Sequence, residues 1–178
     1  GIGVRVVTGD RTGYAYADEV TRERMLEAAV TASYVARNGI GQPVALGTPS
    51  RSSPLYAVRL HAHDVEVSRK VELLLRSDDA ARATDGRIHE VQAGYADVRR
   101  KVTIISSDGV WVERDDDLFR LSISVLALGD GKRESGVEFL GGRYGFEYFD
   151  DHPPEDAARR AAQQALTKLA AQPAPAGQ

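Results

Sequence analysis

The sequence contains no cysteine among its 178 residues, so neither a disulfide bond nor a cysteine nucleophile contributes to its stability or chemistry. A chain without cysteine is typical of reducing compartments, and we expect a cytoplasmic protein. Membrane spans and a cleavable leader are also missing from the pattern, because no apolar run approaches ~20 residues and no basic-then-apolar segment opens the chain. The first residue is Gly1 and residues 4–7 already have strand character, so we expect the natural start to lie upstream.

An excess of positive charge is the next missing feature. The formal net charge is −3 at pH 7, which gives no overall positive field to hold a phosphate backbone. Nucleic acid is therefore excluded as an expected partner. The composition, 42% hydrophobic and 28% charged, predicts a soluble chain that is long enough to bury one sizeable core.

The first part of the chain has the pattern of a hairpin followed by a helix. Residues 2–8 and 14–17 have strand character, and residues 9–13 are rich in turn formers. Thr21 is a candidate N-cap for a helix over residues 21–37. The helix face that we expect to be buried consists of Met25, Ala29, Ala32 and Ala36.

The next segments predict a loop and a second helix. Residues 38–54 contain many glycine, proline and serine residues, which indicates a mobile surface loop. Asp64 is a candidate cap for the second helix, which we expect to end near residues 84–86. The helical spacing of Val67, Val71, Leu74 and Leu75 predicts its buried face.

A tract dense in β-branched residues follows, with turns predicted at residues 107–109 and 129–131. Four antiparallel strands are expected, over residues 88–97, 99–106, 110–114 and 118–128. The run Asp115 to Asp117 is interpreted as a solvated turn, and weak Ca²⁺ binding is the alternative. One face of the strand at residues 118–128 is apolar along its whole length, and the other face becomes apolar toward the end of the strand. A third helix, starting at Pro153, is a candidate to cover this second face.

Two glycine- and tyrosine-rich segments, residues 1–18 and 130–149, resemble the TldD branch of the TldD/PmbA family, the modulators of DNA gyrase. Residues 118–125, followed by Asp130-Gly131-Lys132-Arg133-Glu134, resemble the TldD-type subunit rather than its PmbA (TldE) partner. The Ala-Pro-Ala-Gly stretch at residues 174–177 is similar to the family's linker into the catalytic domain. The match is weakest between residues 39 and 86.

The resemblance implies an N-terminal domain over residues 1–172 and a linker over residues 173–178. We expect an α+β fold with a curved, largely antiparallel (mixed) sheet packed by two to three helices. The parent protein is then implied to be a zinc metallopeptidase that hydrolyses unfolded or short peptides beside a PmbA/TldE-like partner subunit. The family's His-Glu-x-x-x-His stretch is not in this chain and is expected downstream. This chain would wall the substrate chamber and dock the partner, without a catalytic residue of its own.

The four histidines were considered as metal ligands. His61 and His63 have the strand spacing that puts two imidazoles on one face, and His89-Glu90 resembles half of a zincin motif, but no second half or third ligand lies nearby in sequence. The favoured interpretation is that His61 and His63 are surface side chains and that His152 begins a helix. The prediction is no metal site and no cofactor in this chain.

The residues Gly141, Gly142, Arg143, Tyr144 and Gly145 form the candidate substrate-binding segment. The favoured interpretation is a bulge or tight corner, with the aromatic residues of strand-like residues 144–149 packed on the sheet. The alternative is an open backbone edge that receives an extended peptide by strand addition, with Arg143 holding a carboxylate. A rival to the peptidase hypothesis is a non-enzymatic binding module that uses this loop and a sheet edge.

Overall fold

A computed structural model of the chain describes residues 1–36, 50–51, 58–172 and 177. Two compact units divide the chain, Gly1–Ala45 and Leu46–Gln178. Both combine antiparallel strands with helices, so the predicted α+β class is confirmed. No helix in the described part has the length and apolar character that a bilayer crossing needs. The expected extents of the domain and the linker, residues 1–172 and 173–178, remain predictions.

The first unit is a β-hairpin with one helix. Strands β1 (Ile2–Thr8) and β2 (Arg11–Ala17) pair in antiparallel register from Ile2↔Ala17 to Thr8↔Arg11. The turn is two residues long rather than the predicted five, because residues 11–13 already continue the strand. The predicted hairpin is otherwise confirmed.

Helix α1 (Arg22–Ala36) begins where the sequence indicates. The Arg24 backbone N–H donates to Thr21 Oγ1 over 3.3 Å, which confirms Thr21 as the N-cap. The predicted burial of Ala32 and Ala36 is confirmed, but Met25 is exposed and Ala28, rather than Ala29, is the third buried residue. Small residues decide the face, because α1 lies so close to β2 that a Cβ on Gly13 would overlap the Ala32 carbonyl oxygen.

The second unit is a sheet built around one long central strand. Strand β5 (Trp111–Gly129) pairs antiparallel with β4 (Ile88–Ile105) on one side and β6 (Lys132–Gly142) on the other. The short strand β3 (Ser50–Arg51) pairs parallel with β5 at Val112 and Glu113, which makes the sheet mixed. The remainder of the predicted loop over residues 38–54 lies outside the described residues.

Two of the predicted strand breaks are absent. Residues 88–105 form one strand, and Asp115 to Asp117 lie inside β5, so the interpretation of these acids as a solvated turn is wrong. The antiparallel register places Arg99, Arg100 and Lys101 opposite Asp117, Asp116 and Asp115. The strand continues through the acidic run because each acidic side chain faces a basic neighbour across the ladder.

Helix α2 (Val67–Arg82) buries a different face from the expected one, although the predicted Leu74 is partly buried and packs against the core. Its buried side chains are Leu73, Ser77, Ala80 and Ala81. The predicted positions Val67, Val71 and Leu75 are exposed, by 70%, 43% and 60%. Asp64 lies in a separate 3₁₀ turn (Ala62–Asp64), and the N-cap of α2 is Glu66, which makes no side-chain capping bond.

A short helix, α3 (Tyr148–Asp151), precedes helix α4 (Pro154–Ala170), which confirms the helix start predicted at Pro153. Helix α4 buries a stripe of alanine and leucine residues. With α2 it covers the β5 face that carries Leu121, Ile123 and Val125, all fully buried. A Cβ on Gly136 of β6 would overlap the Ala161 carbonyl oxygen, so helix and strand are in backbone contact.

The opposite side of this sheet is called the open face below. Its positions on β5 are Arg114, Asp116, Leu118, Arg120, Ser122, Ser124, Leu126 and Leu128, together with the residues paired to them on β4 and β6. The idea that the C-terminal helix covers this second face is therefore wrong, because α4 packs on the first. The side chain of Phe139 on the open face is 58% exposed.

Candidate functional site

The segment after β6 is a loop and a short helix, not the strand expected for residues 144–149. Helix α3 (Tyr148–Asp151) follows a loop in which Phe146 is buried. The rings of Phe146 and Phe149 lie 5.3 Å apart, and Phe149 is 5.1 Å from Phe119 on β5. Since Phe146 and Phe149 are three residues apart and both buried, their spacing is helical. The expectation that these aromatic residues pack on the sheet is confirmed for this pair, while Tyr144 stays 47% exposed.

The first two glycines of the predicted site end strand β6 in a backbone conformation that favours glycine. Gly141 and Gly142 have φ angles of 151° and 148°. A Cβ on Gly141 would overlap the carbonyl oxygen of Phe119 on β5. These two glycines therefore allow β6 to bend close to β5, which is the tight corner that the favoured interpretation describes.

Gly145 makes room for a segment of the same chain. The Phe146 N–H donates to the Leu60 carbonyl over 2.7 Å. The Glu147 carboxylate accepts the N–H groups of Arg59 and Leu60 over 2.8 Å and 2.9 Å. A Cβ on Gly145 would lie 2.7 Å from the Leu60 oxygen. We call this arrangement of Gly145, Phe146 and Glu147 around Arg59 and Leu60 the backbone clasp.

The clasp depends on the charge of Glu147. Partial burial raises the pKa of this carboxyl, but hydrogen bonds from the backbone N–H groups of Arg59, Glu147 and Leu60 outweigh burial and lower the pKa overall. Glu147 is therefore a carboxylate at neutral pH. The clasp shows that this loop binds backbone N–H and carbonyl groups, and the backbone it holds belongs to the chain itself.

Arg143 faces a carboxylate of its own chain. Its Nη1 atom is 3.9 Å from Oδ1 of Asp116, whose other oxygen accepts from Arg114 Nε over 2.7 Å. The Asp116 side chain is 9% exposed, and that of Arg143 is 42% exposed. Arg143 thus keeps donors toward solvent, and its role as a ligand for a substrate carboxylate stays a prediction.

His61 is not a free surface histidine, because its Nδ1 atom is 2.7 Å from Oδ2 of the buried Asp117. The neighbouring Asp115 forms a two-pronged ion pair with Arg99. A hydrogen bond from Arg99 lowers the pKa of Asp115, against the opposing effect of desolvation. Each acid of the run thus has a side-chain partner, Arg99 for Asp115, Arg114 for Asp116 and His61 for Asp117, so Ca²⁺ is not needed to satisfy them.

No group of three His, Asp or Glu side chains that could hold a metal ion occurs among the described residues. His63 is exposed, and His152 stacks on the Tyr148 ring at 4.0 Å. His89 lies at a β-bulge in β4. The described residues therefore do not fit a zinc site of the kind that a peptidase uses, which needs about three protein ligands.

Sequence reasoning missed Glu147, Asp116 and Asp117 as the polar centres of this region. Asp108 lies in the predicted turn, and the basic run Arg99 to Lys101 is as far before it as the acidic run Asp115 to Asp117 is after it. Two antiparallel strands joined by this turn would therefore place the two runs opposite each other, as the structure does. No comparable pattern marks Glu147, because its partners Arg59 and Leu60 are far away in sequence.

Two family models match the chain. One describes the PmbA/TldA metallopeptidase domain 1 and matches residues 1–36, and the other describes the PmbA/TldA metallopeptidase central domain and matches residues 60–169. The division agrees with the two compact units of the fold.

Curated relatives include a metalloprotease TldD homolog of Haemophilus influenzae, 35% identical over 99% of this chain and 38% of its own length. A homolog of the same name from Buchnera aphidicola is 31% identical over 84% of this chain and 31% of its own length. The chain thus spans less than two fifths of these relatives.

Solved structures share the fold. A putative modulator of a DNA gyrase from Thermotoga maritima superposes with a TM-score of 0.74 at 21% identity, covering 98% of this chain and 39% of that one. TldE from Thermococcus kodakarensis gives a TM-score of 0.64 at 20% identity, covering 91% of this chain and 36% of that one.

Proposed function

Because the chain belongs to the PmbA/TldD metallopeptidase family, we propose that it is the N-terminal part of a TldD-type subunit that hydrolyses unfolded or short peptides. The observation that carries this proposal is the 35% identity to a metalloprotease TldD homolog across 99% of the chain. Both family models agree with it.

In this proposal the chain binds and encloses substrate, while the chemistry belongs to another part of the parent protein. The described residues hold no group of metal-ligating side chains, so a zinc ion of the parent would be bound elsewhere. The family's descriptions as metallopeptidases support a metal in the parent, and zinc is the proposed identity.

The open face is the proposed wall of the substrate chamber. It is a broad surface of three strands that α2 and α4 leave uncovered, because both pack on the opposite side. The loop of Gly141, Gly142, Arg143, Tyr144 and Gly145 lies where β6 leaves the sheet. We assign the loop to substrate binding, with Arg143 as the carboxylate ligand.

A PmbA/TldE-like subunit is the proposed partner in the parent protein. The likeness to TldE supports this choice, since it shows that the fold occurs in proteins of that name. A cytoplasmic location is part of the same proposal.

The test compares the complete parent protein, with and without a TldE-type subunit, with the chain of residues 1–178. Cleavage of an unfolded peptide pool and zinc content are measured for each. We expect zinc-dependent cleavage only by the complete protein with its partner. A complete protein that binds peptides but never cleaves them would overturn the peptidase assignment and favour the non-enzymatic binding module.

The loop has its own test in the complete protein. Gly142→Val would bring a side chain against the Tyr144 ring, whose Cε2 atom lies 2.9 Å from the Cβ position. We expect this variant to impair cleavage, and Arg143→Ala to raise KM more than it lowers kcat. If both variants fold, melt and cleave like the parent, the loop serves sheet geometry alone.

A further inference from the structure

The open face carries charge of the sign opposite to that of the whole chain. The chain has a net charge of −3. The acidic residues at open-face positions are Glu90 and Asp116. The basic residues there are Arg100, Arg114, Arg120 and Arg133, and Arg143 joins them by its contact with Asp116. A local excess of arginine on a net-negative protein indicates a surface that attracts anions.

Three of the arginines lie near one buried carboxylate. Arg114 binds Asp116 through Nε and Nη2, over 2.7 Å and 2.5 Å, while Arg143 stays 3.9 Å away. Arg100 is opposite Asp116 in the register but forms no ion pair with it among the described residues. One carboxylate cannot satisfy three guanidinium groups, so the donors of Arg100 and Arg143 remain available to a ligand.

Arg120 continues the same surface next to an exposed ring. Its guanidinium carbon lies 4.8 Å from the centre of the Phe139 ring, a cation–π contact that holds the charge flat on the sheet. Phe139, Val98 and Val137 are 58%, 50% and 40% exposed on this face. Arginines and apolar side chains therefore alternate within one continuous surface.

We propose that the open face binds an acidic peptide segment. Side-chain carboxylates of the peptide contact Arg100, Arg143 and Arg120, and an apolar side chain of the peptide packs on Phe139. Arg–carboxylate pairs are strong because the two planar groups bond through two parallel hydrogen bonds. This proposal rests on the peptide-handling role given above, and it narrows the substrate class to acidic segments.

The same observations favour a peptide over a single-stranded nucleic acid. Proteins that bind single strands stack successive bases on several aromatic rings, and Phe139 is the only aromatic residue at an open-face position of β4, β5 and β6. A peptide that carries carboxylates and one apolar side chain offers a partner to the arginines and to the single ring.

The experiment measures binding by the chain of residues 1–178, so it does not depend on catalysis. The probe is a fluorescently labelled peptide of glutamate residues around one phenylalanine, and its glutamine analogue is the neutral comparison. Fluorescence anisotropy is recorded at low and high salt. We expect the acidic peptide to bind, the analogue to bind at least about tenfold more weakly, and added salt to weaken binding.

The double variant Arg100→Gln/Arg143→Gln tests the assigned contacts. We expect it to lose about tenfold or more in affinity, because each pair is a charge-assisted hydrogen bond. The single variant Arg100→Gln is compared with Lys101→Gln, which also removes one positive charge, from the next residue of β4 on the opposite face. Melting curves show that each variant is folded.

Three results would overturn the proposal. They are equal binding of the neutral analogue, equal losses in Arg100→Gln and Lys101→Gln, and tighter binding of a single-stranded oligonucleotide of the same charge. None of them bears on cleavage by the complete protein. If the complete protein does not cleave peptides but the chain of residues 1–178 still binds the acidic peptide, the peptidase assignment is wrong and the proposed binding surface stands.

Discussion

The imidazole of His61 is hydrogen-bonded to a carboxylate that the fold has removed from solvent, with 2.7 Å between its Nδ1 atom and Oδ2 of Asp117. The Asp117 side chain is only 4% exposed. His61→Ala would leave this buried carboxylate without that partner. We expect the free energy of unfolding to fall by about 1–3 kcal/mol, as measured by chemical denaturation.

His63→Ala is the control for this variant, because His63 is exposed two residues away in the same 3₁₀ turn. We expect its stability to stay within about 0.5 kcal/mol of the parent. Equal stability of the two variants would show that Asp117 does not depend on His61.

Acid should open the backbone clasp. The pKa of Glu147 is lower in the folded chain than in an unfolded one, so its contribution is present above the unfolded value, near 4.5, and is lost as pH falls through the folded value. Glu147→Gln should remove the contribution at neutral pH. Hydrogen exchange of the Arg59 and Leu60 amides is the measurement, and we expect faster exchange in the variant.

Asp150→Asn gives the comparison for the clasp, since Asp150 is an exposed acid on the adjoining helix α3. It should leave exchange at Arg59 and Leu60 unchanged. Protection of both amides in Glu147→Gln at the level of the parent would contradict a role for the carboxylate.

A methyl group on Gly136 should destabilise the second unit. The Cβ of Gly136→Ala would overlap the Ala161 carbonyl oxygen and lie 2.8 Å from the Ala165 nitrogen, so helix α4 must shift. We expect a loss of about 1–3 kcal/mol from overpacking. Gly86→Ala, at a position with open space around the added Cβ, should change little or gain up to about 1 kcal/mol. Similar melting temperatures for the two variants would contradict the close contact.

Helices α2 and α4 are also joined by an ion pair. Arg76 Nε and Nη2 donate to the two Glu155 oxygens over 2.6 Å and 2.9 Å. That hydrogen bond, opposed by desolvation, lowers the pKa of Glu155. The side chains are 41% and 23% exposed, so we expect a coupling energy of at most about 1 kcal/mol. Added salt should lower this coupling energy. It should also fall as the pH drops below the unfolded pKa of glutamate. A double-mutant cycle with Arg76→Gln and Glu155→Gln measures the coupling energy. A coupling energy that does not change with salt concentration would contradict an ion pair as its cause.

Two helix starts and the turn between β4 and β5 were predictable because they depend on neighbouring residues. Thr21 and Pro153-Pro154 mark helix starts, and Ser107-Asp108-Gly109 marks the turn between β4 and β5, as the structure confirms. Each of these features is decided within about four residues of chain by capping or backbone preference.

The buried face of α2 was not predictable in the same way. Val67, Val71 and Leu75 form a more apolar stripe than Ser77, Ala80 and Ala81, yet the second set is buried. Which face of α2 is buried depends on its contacts with distant parts of the chain, which neighbouring residues do not specify. The backbone clasp has the same difficulty, because it joins Glu147 to residues distant in sequence.

Strand β5 changes character along its length. From Phe119 to Ala127, the side chains beneath α2 and α4 are apolar and buried, and their packing does not respond to proton concentration. From Asp115 to Asp117 the strand is held by charge, with the clasp at Glu147 in the same part of the unit. We therefore expect acid to weaken this end of β5, where Asp115 has a lowered pKa in the folded chain. Partial unfolding of this unit in acid should begin at the end of β5 that carries Asp115 to Asp117.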